Sequence, residues 1–286
     1  MIRPLVASIA VLSGLVLAGG AQAAPKVAPK TAPPGATEWR TPAPEDVVVI
    51  DTSKGRIVLE LIPEVAPGHV ARFQELTREG VYDGRTFFRV IDRFMAQTGD
   101  PDDTGEGGTK KPNLKAEFTF RRDASTPFAP AAAPAGTEVG FLKSLPVVSQ
   151  AWSWAEVTSD KKVSAWGTYC PGVVGEARDE DVNSANSQFF LMRQPYPSLD
   201  KRYTAFGRVL TGLDVVRAIK TGEPVEKPQD RMTKVRLLAD IPPAERPTVR
   251  VVDTASAWFK AEIARKRAAR GADFSVCDVD LAVDIR

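Results

Sequence analysis

The sequence predicts a mainly β fold, with a further β-rich segment at 121–171 and a helical stretch near the C-terminus. Three observations lead there. Residues 86–98 (TFFRVIDRFMAQT) alternate at period two on both sides of a break at Asp92-Arg93, the pattern of a hairpin. Two further strand-like runs, VVVIDTS and RIVLELI within 46–61, are joined at Lys54-Gly55. Helical spacing is confined to short stretches at 63–79, 212–221 and 254–271.

The hairpin at 86–98 organises the rest. The alternation puts Thr86, Phe88 and Val90 on one face and Phe87, Arg89 and Ile91 on the other. Past the turn, Phe94, Ala96 and Thr98 share one face, and Met95 and Gln97 the opposite one. Gly99-Asp100-Pro101 breaks the pattern. Gly105, Gly107 and Gly108 then form a loop able to approach a ligand backbone closely. Arg89 stands among large apolar residues. Spacing alone leaves two readings: an arginine at a sheet rim paired with an acid, or a fixed guanidinium beside an apolar pocket, donating to a neutral ligand.

Taken from the N-terminus, residues 1–23 read as a secretory signal peptide. Arg3 supplies the positive end, 5–17 an apolar stretch short for a bilayer, and Ala21-Gln22-Ala23 a small-x-small cleavage site. The alternative is an uncleaved membrane anchor. No cysteine lies near the cleavage site, which argues against a lipoprotein. The mature chain is expected to start near Ala24, without stable membrane insertion, and a Gram-negative source would make it periplasmic. Residues 24–45 are rich in Pro, Ala and Thr and read as a semi-extended linker, with Trp39 able to dock on the domain.

The net charge of +2 gives no reason to expect nucleic-acid or membrane-surface binding, and the single histidine, His69, makes a histidine triad or a zinc site unexpected. In the first helical stretch, Val65, Val70, Phe73 and Leu76 recur at helical spacing. Pro67 fits a first turn and Gly80 a C-terminal stop. His69 reads as structural or solvent-facing. Residues 121–171 open with the run TPFAPAAAPAGT and continue as the strand-like EVGFLKSL, VVSQAWSWAEV and KKVSAWGTY. They carry Trp152, Trp154 and Trp166, which require a surface to bury against. The segment is either an elaborated hairpin packed on the main domain or an accessory wall of a substrate groove.

Strand-like runs follow at 172–178, 188–192, 204–210 and 232–238, with a loop at 196–202. Beyond them Ile241-Pro242-Pro243 is a breaker and 249–252 a candidate strand. In the last helix, Thr254 or Ser256 serves as N-cap, Trp258, Ile263 and Ala264 as an apolar stripe, and Arg265, Lys266, Arg267 and Arg270 suit the C-terminal end of the dipole. This helix docks on its own domain or meets a partner. The two cysteines, Cys170 and Cys277, form one disulfide in an oxidising compartment or remain two buried thiols.

Three motifs carry a family resemblance: FFRVI-x-x-FM-x-Q-x-GDP from Phe87, NSANSQFF at 183–190, and AFGRV at 205–209. In this order and spacing they resemble the cyclophilins, the peptidyl-prolyl cis-trans isomerases. The resemblance covers about 46–238 apart from the insertion near 121–171. It implies a closed eight-stranded antiparallel barrel capped by two helices, in a domain spanning 46–240, with 241–286 as an extension. It implies isomerisation of X-Pro bonds without cofactor or metal, proline-containing polypeptides as partners, and a monomer. Carried over, Arg89 is the catalytic donor. Phe94, Met95, Phe190 and Leu199 hold the prolyl ring. Gln97 and the backbone around Ala177 and Arg178 hold the preceding peptide, and Gln188 and Tyr203 line the edges. Three positions depart from the family: Glu176 where Met is more common, Ser198 where many eukaryotic members carry Trp, and Tyr203 where many carry His. Loss of that Trp implies weak cyclosporin binding. The runner-up function is a non-catalytic proline-peptide-binding chaperone or scaffold, with the insertion or tail occupying the groove. A purely structural envelope module has only the Pro-rich linker in its favour.

Overall fold

A computed structural model describes residues 32–286. The expected signal peptide and the start of the linker lie outside the described residues. In chain order the elements are β1 (Trp39–Arg40), β2 (Val47–Thr52), β3 (Gly55–Leu61), α1 (Pro67–Arg78), β4 (Arg89–Ile91), β5 (Met95–Thr98), β6 (Phe120–Arg122), β7 (Phe128–Ala132), β8 (Thr137–Leu142), β9 (Leu145–Gln150) and β10 (Val163–Gly167). There follow β11 (Val173–Glu176), β12 (Phe189–Met192), β13 (Ala205–Thr211), α2 (Leu213–Ala218), β14 (Met232–Leu237), β15 (Val249–Val252), α3 (Ala257–Arg270) and β16 (Val283–Ile285).

Eight strands form one antiparallel sheet in the order β14-β2-β3-β13-β11-β12-β5-β4. Its outer strands share no ladder. The segments leading into them meet instead through irregular backbone bonds, from Gly84 N to Met232 O at 2.7 Å, Met232 N to Arg85 O at 2.8 Å and Phe87 N to Asp230 O at 2.9 Å. The alternate residues of these strands fill one core, where Ile50, Leu59, Phe189 and Phe206 meet Val70, Phe73 and Leu76 of α1 and Val216 of α2. Phe73 is its centre, with the rings of Tyr82, Phe189 and Phe206 at 4.9, 5.1 and 5.5 Å.

Helix α1 begins at Pro67 rather than at Pro63, because 62–66 form a turn closed by Val65 N on Ile62 O at 3.0 Å. No side chain at its own N-cap satisfies the first amides. Glu117 does so from outside. It accepts from Gly68 N at 3.1 Å, His69 N at 3.0 Å and His69 Nδ1 at 2.7 Å. Burial alone would raise the Glu117 pKa; these bonds outweigh it and hold the carboxyl below its ordinary value. His69 is only 1% exposed, so it is structural and not solvent-facing.

The insertion forms a second, five-stranded sheet in the order β6-β10-β9-β8-β7. Two expectations fail here. The stretch expected to be strand through WSWAEV turns into a 3-10 helix over Trp152–Glu156. The expected burial of the tryptophans fails at Trp154, which is 53% exposed, whereas Trp152, 5.3 Å from the Arg122 guanidinium, and Trp166, 3.9 Å from Lys201 Nζ, are half-buried. The Pro/Ala run supplies strand β7. Pro130 is tolerated there because β7 is an outer strand, where a missing N–H breaks no ladder.

A second core joins this sheet to the first and to the tail. Phe141, Leu145 and Val147 of the insertion pack with Met95, Val173 and Met192, and with Phe259 and Ile263 of α3. Ser256 caps α3, its Oγ accepting from Phe259 N at 3.1 Å. The buried face is Phe259, Glu262 and Ile263, whereas Ala264 is exposed and Trp258 half-buried. The Phe259 and Phe141 rings meet edge-on at 5.1 Å, so the tail helix docks on the insertion. Cys170 and Cys277 are bonded, S–S 2.00 Å, which ties these two segments together. The end of the expected linker is also structured: β1 pairs with β15, β15 with β16, and Arg40 forks onto the Glu60 carboxylate at 2.5 and 2.7 Å.

Candidate active site

The β4–β5 hairpin sets Arg89 opposite Gln97, Val90 opposite Ala96 and Ile91 opposite Met95. Arg93 makes the turn with a φ of 55°. The alternation is regular only inside these strands. Phe88 and Arg89 both line a surface cavity of about 470 Å³, while Phe87 sits in the inner core. Phe94 likewise belongs to the turn. It lines the cavity beside Met95 and Gln97 instead of following Ala96 and Thr98 inward. The expected division of faces is therefore wrong at Phe87, Phe88 and Phe94, because strand geometry starts at Arg89 and Met95.

Of the residues proposed from sequence, Arg89, Phe94, Met95, Gln97, Ala177, Arg178, Phe190, Leu199 and Tyr203 line this one cavity. Gln188 does not. It lies one step behind, on an adjoining cavity of about 80 Å³ shared with Gln97, Ala177 and Arg178. Cavity residues missed from sequence are Phe88, Thr104, Gly105, Glu106, Glu223 and Pro224. Thr104, Gly105 and Glu106 belong to the loop that the glycines announced. Glu223 stands 134 positions from Arg89, beyond any local pattern. No residue of 121–171 or 241–286 lines the cavity.

A chain of hydrogen bonds crosses the site. Gln188 Nε2 donates to the carbonyls of Gly105 at 3.0 Å and Gly107 at 2.9 Å. Its oxygen is thereby left to accept from Gln97 Nε2, at 3.0 Å. The Gln97 oxygen in turn accepts from Arg89 Nη1 at 3.2 Å. Backbone carbonyls of the glycine loop thus fix the orientation of both amides and, through them, one corner of the guanidinium. Arg89 borders the apolar pocket and also pairs with an acid, Glu223, through Nε at 2.6 Å and Nη2 at 2.5 Å.

The loop that supplies those carbonyls is shaped by Asp100, which is fully buried. Its carboxylate accepts from the amides of Asp102 at 2.8 Å, Thr104 at 2.9 Å, Gly105 at 2.5 Å and Gly107 at 3.1 Å. Burial would raise its pKa; the amides and the Thr104 hydroxyl outweigh this and keep it below the ordinary value. A Cβ at Gly107 would fall 2.0 Å from Asp100 Oδ1, so glycine is required there.

The apolar floor is Phe190, 5% exposed, with Met95, Leu199 and Phe94 around it. Gly175 allows the ring to lie flat: a Cβ there would come 2.5 Å from Phe190 and 2.8 Å from Tyr169. Tyr203 meets Phe190 edge-on at 6.0 Å. The Arg178 guanidinium covers the Tyr203 ring at 4.6 Å and donates to Arg202 O at 3.0 and 3.2 Å, so its side chain, not only its backbone, forms a wall. Glu176, at the Met position of the family, is 5% exposed, and burial pushes its carboxyl well above the usual 4.5. Among the described residues no cluster of three or more His, Cys, Asp or Glu side chains is arranged to hold a metal ion.

Comparison with known proteins identifies the family. Residues 47–238 match the family model described as cyclophilin type peptidyl-prolyl cis-trans isomerase/CLD. The chain is 37% identical over 201 residues, 69% of its length, to a Brucella suis protein named "Probable peptidyl-prolyl cis-trans isomerase", covering 85% of that protein. It is 30% identical over 168 residues, 59% of its length, to peptidyl-prolyl cis-trans isomerase B of Bacillus subtilis, again covering 85% of it. Among solved structures, the cyclophilin AquaCyp293 from Hirschia baltica superposes with a TM-score of 0.80 at 34% identity, over 86% of this chain and 93% of that one. A hairpin that sets an arginine beside an apolar pocket, the three motifs in order, the family match over residues 47–238 and a structural match over 86% of the chain lead to one conclusion: the chain belongs to the cyclophilin-type peptidyl-prolyl cis-trans isomerases.

Proposed function

We propose that the protein isomerises X-Pro bonds of exported polypeptides by stabilising the twisted prolyl amide with Arg89. An X-Pro bond resists rotation by roughly 18–20 kcal/mol because the nitrogen shares its lone pair with the carbonyl. At the top of the barrier that sharing is lost and the pair is localised on nitrogen. A guanidinium donor aimed at that nitrogen binds the twisted amide more strongly than either planar form, the condition for catalysis. Neither a nucleophile nor a general base is called for.

The observation that carries this reading is the seating of Arg89: held by Gln97 on one side and Glu223 on the other, at the edge of a cavity floored by Phe190, Met95, Leu199 and Phe94. The apolar floor suits a prolyl ring. The polar side, with Gln97, Ala177 and Arg178, suits the peptide before it. Lowering the barrier by about 7 kcal/mol would correspond to roughly a 10⁵-fold rate gain. An exported, periplasmic location rests on the sequence of residues 1–23, and a monomer is the simplest form for such a module.

The test is isomerisation of a short X-Pro peptide by the purified mature protein beside Arg89→Ala. Losing a single transition-state donor should lower turnover by roughly 10²–10³-fold. The side chain is 38% exposed, so thermal unfolding should move little. Unchanged turnover in a folded Arg89→Ala protein would overturn the mechanism. An inactive wild type would instead favour a proline-peptide-binding chaperone.

A further inference from the structure

We infer that Glu223 is a positioning residue for catalysis, fixing the Arg89 guanidinium in its working orientation; this rests on the reading of Arg89 as the catalytic donor. The backbone brings the two together with little freedom. The residues flanking Arg89 are each bonded to the loop that carries Glu223. Val90 and Gly222 exchange two backbone bonds of 2.8 Å, and Val225 N donates to Phe88 O at 2.8 Å. Glu223 and Pro224 therefore bracket Arg89, and both line the cavity.

The side-chain geometry matches the bracket. Glu223 Oε1 accepts from Arg89 Nε at 2.6 Å and lies 2.5 Å from Nη2, occupying one edge of the fork. Gln97 takes one hydrogen of Nη1 at 3.2 Å. Two of the five N–H groups of the guanidinium are then in hydrogen bonds, Nη2 is held in ion-pair contact by the same carboxylate oxygen, and N–H groups remain for a substrate amide. Without Glu223 the arginine is tethered only through Gln97, and a long side chain with several rotatable bonds is free to leave the site.

The structure also sets the size of the effect. Glu223 is 55% exposed and Arg89 38%, so solvent screens the pair and its contribution to stability is small. The consequence falls on orientation at the barrier, and therefore on kcat. Glu223→Ala should lower kcat by more than about threefold and leave KM within about twofold. Glu223→Gln, whose amide oxygen can still accept from Nε, should recover about half of the lost kcat or more. The Arg89 Nε–H resonance in a ¹⁵N NMR spectrum should be protected from exchange in the wild type and in Glu223→Gln, and unprotected in Glu223→Ala. A kcat that falls by less, or rises, in Glu223→Ala overturns the proposal. So does a Glu223→Gln protein no better than Glu223→Ala, or an Nε–H signal indifferent to either change. Arg89→Ala, assayed alongside, separates the two failures. If it stays active, the reading of Arg89 falls. If it is inactive while Glu223→Ala is not, only the positioning role falls.

Discussion

Tyr169 stacks behind Phe190, ring centroids 5.8 Å apart and planes 28° from parallel, so the end of the inserted segment supports the apolar floor of the cavity from outside the eight-stranded sheet. The insertion contributes no residue to the cavity lining, yet it backs the lining residues from behind, through this stack and through the apolar cluster it shares with Met95. Gly175 makes the approach possible by offering both rings no Cβ to meet.

Tyr169→Ala should therefore act on binding as well as stability. Removing a fully buried ring costs about 3–5 kcal/mol in typical cores. The void lies directly behind Phe190, so KM for an X-Pro peptide should rise more than kcat falls. Tyr169→Phe keeps the ring and drops a hydroxyl that has no hydrogen-bond partner among the described residues, so it should match the wild type in both respects. Denaturant unfolding and steady-state kinetics check the pair; equal kinetics for Tyr169→Ala and wild type would count against the support role.

Glu176 makes stability depend on pH with a defined sign. Its folded pKa is raised well above 4.5 by burial, which the Arg72 charge offsets only in part. Below the unfolded value both states are protonated and the group costs nothing. As pH rises from about 4.5 toward the folded pKa, the unfolded chain releases a proton that the folded chain keeps, so stability falls. Glu176→Gln should then be more stable than wild type near neutral pH, with the difference shrinking as pH falls through the unfolded carboxylate range toward about pH 4. Glu176→Met should give the same trend. Parallel unfolding curves for wild type and Glu176→Gln across this range would refute it.

The Cys170–Cys277 bond closes a loop spanning 107 positions. In the chain-entropy picture, a loop of that size is worth roughly 4–5 kcal/mol, through restriction of the unfolded chain. Cys170 is fully buried, so Cys170→Ala with Cys277→Ser avoids a stranded polar group. The double variant should unfold at lower denaturant than oxidised wild type and be insensitive to dithiothreitol. The tail keeps its apolar contacts through Phe259 and Ile263, so isomerase turnover at room temperature should persist. A stability loss below about 1 kcal/mol would show that those contacts alone hold the tail.

Much of the site is legible in the sequence because its anchors are local. Arg89, Phe94, Met95 and Gln97 fall within nine residues, on a hairpin whose alternation and turn are read directly, and the glycine loop follows at once. The strand pair across Lys54-Gly55, helix α1 with Pro67 at its start and Gly80 past its end, and the Ser256 cap are equally local. The sequence by itself thus determined the mainly β class, the hairpin and, through three motifs, the family. Only the tertiary structure decided the rest. Which face Phe87, Phe88 and Phe94 take depends on where the ladder starts. The acid beside Arg89 and the ring behind Phe190 come from positions 134 and 21 residues away, and what joins them is strand register and sheet curvature. Periodicity fixes which side of its own strand a residue occupies; it carries no information about what a distant strand sets opposite.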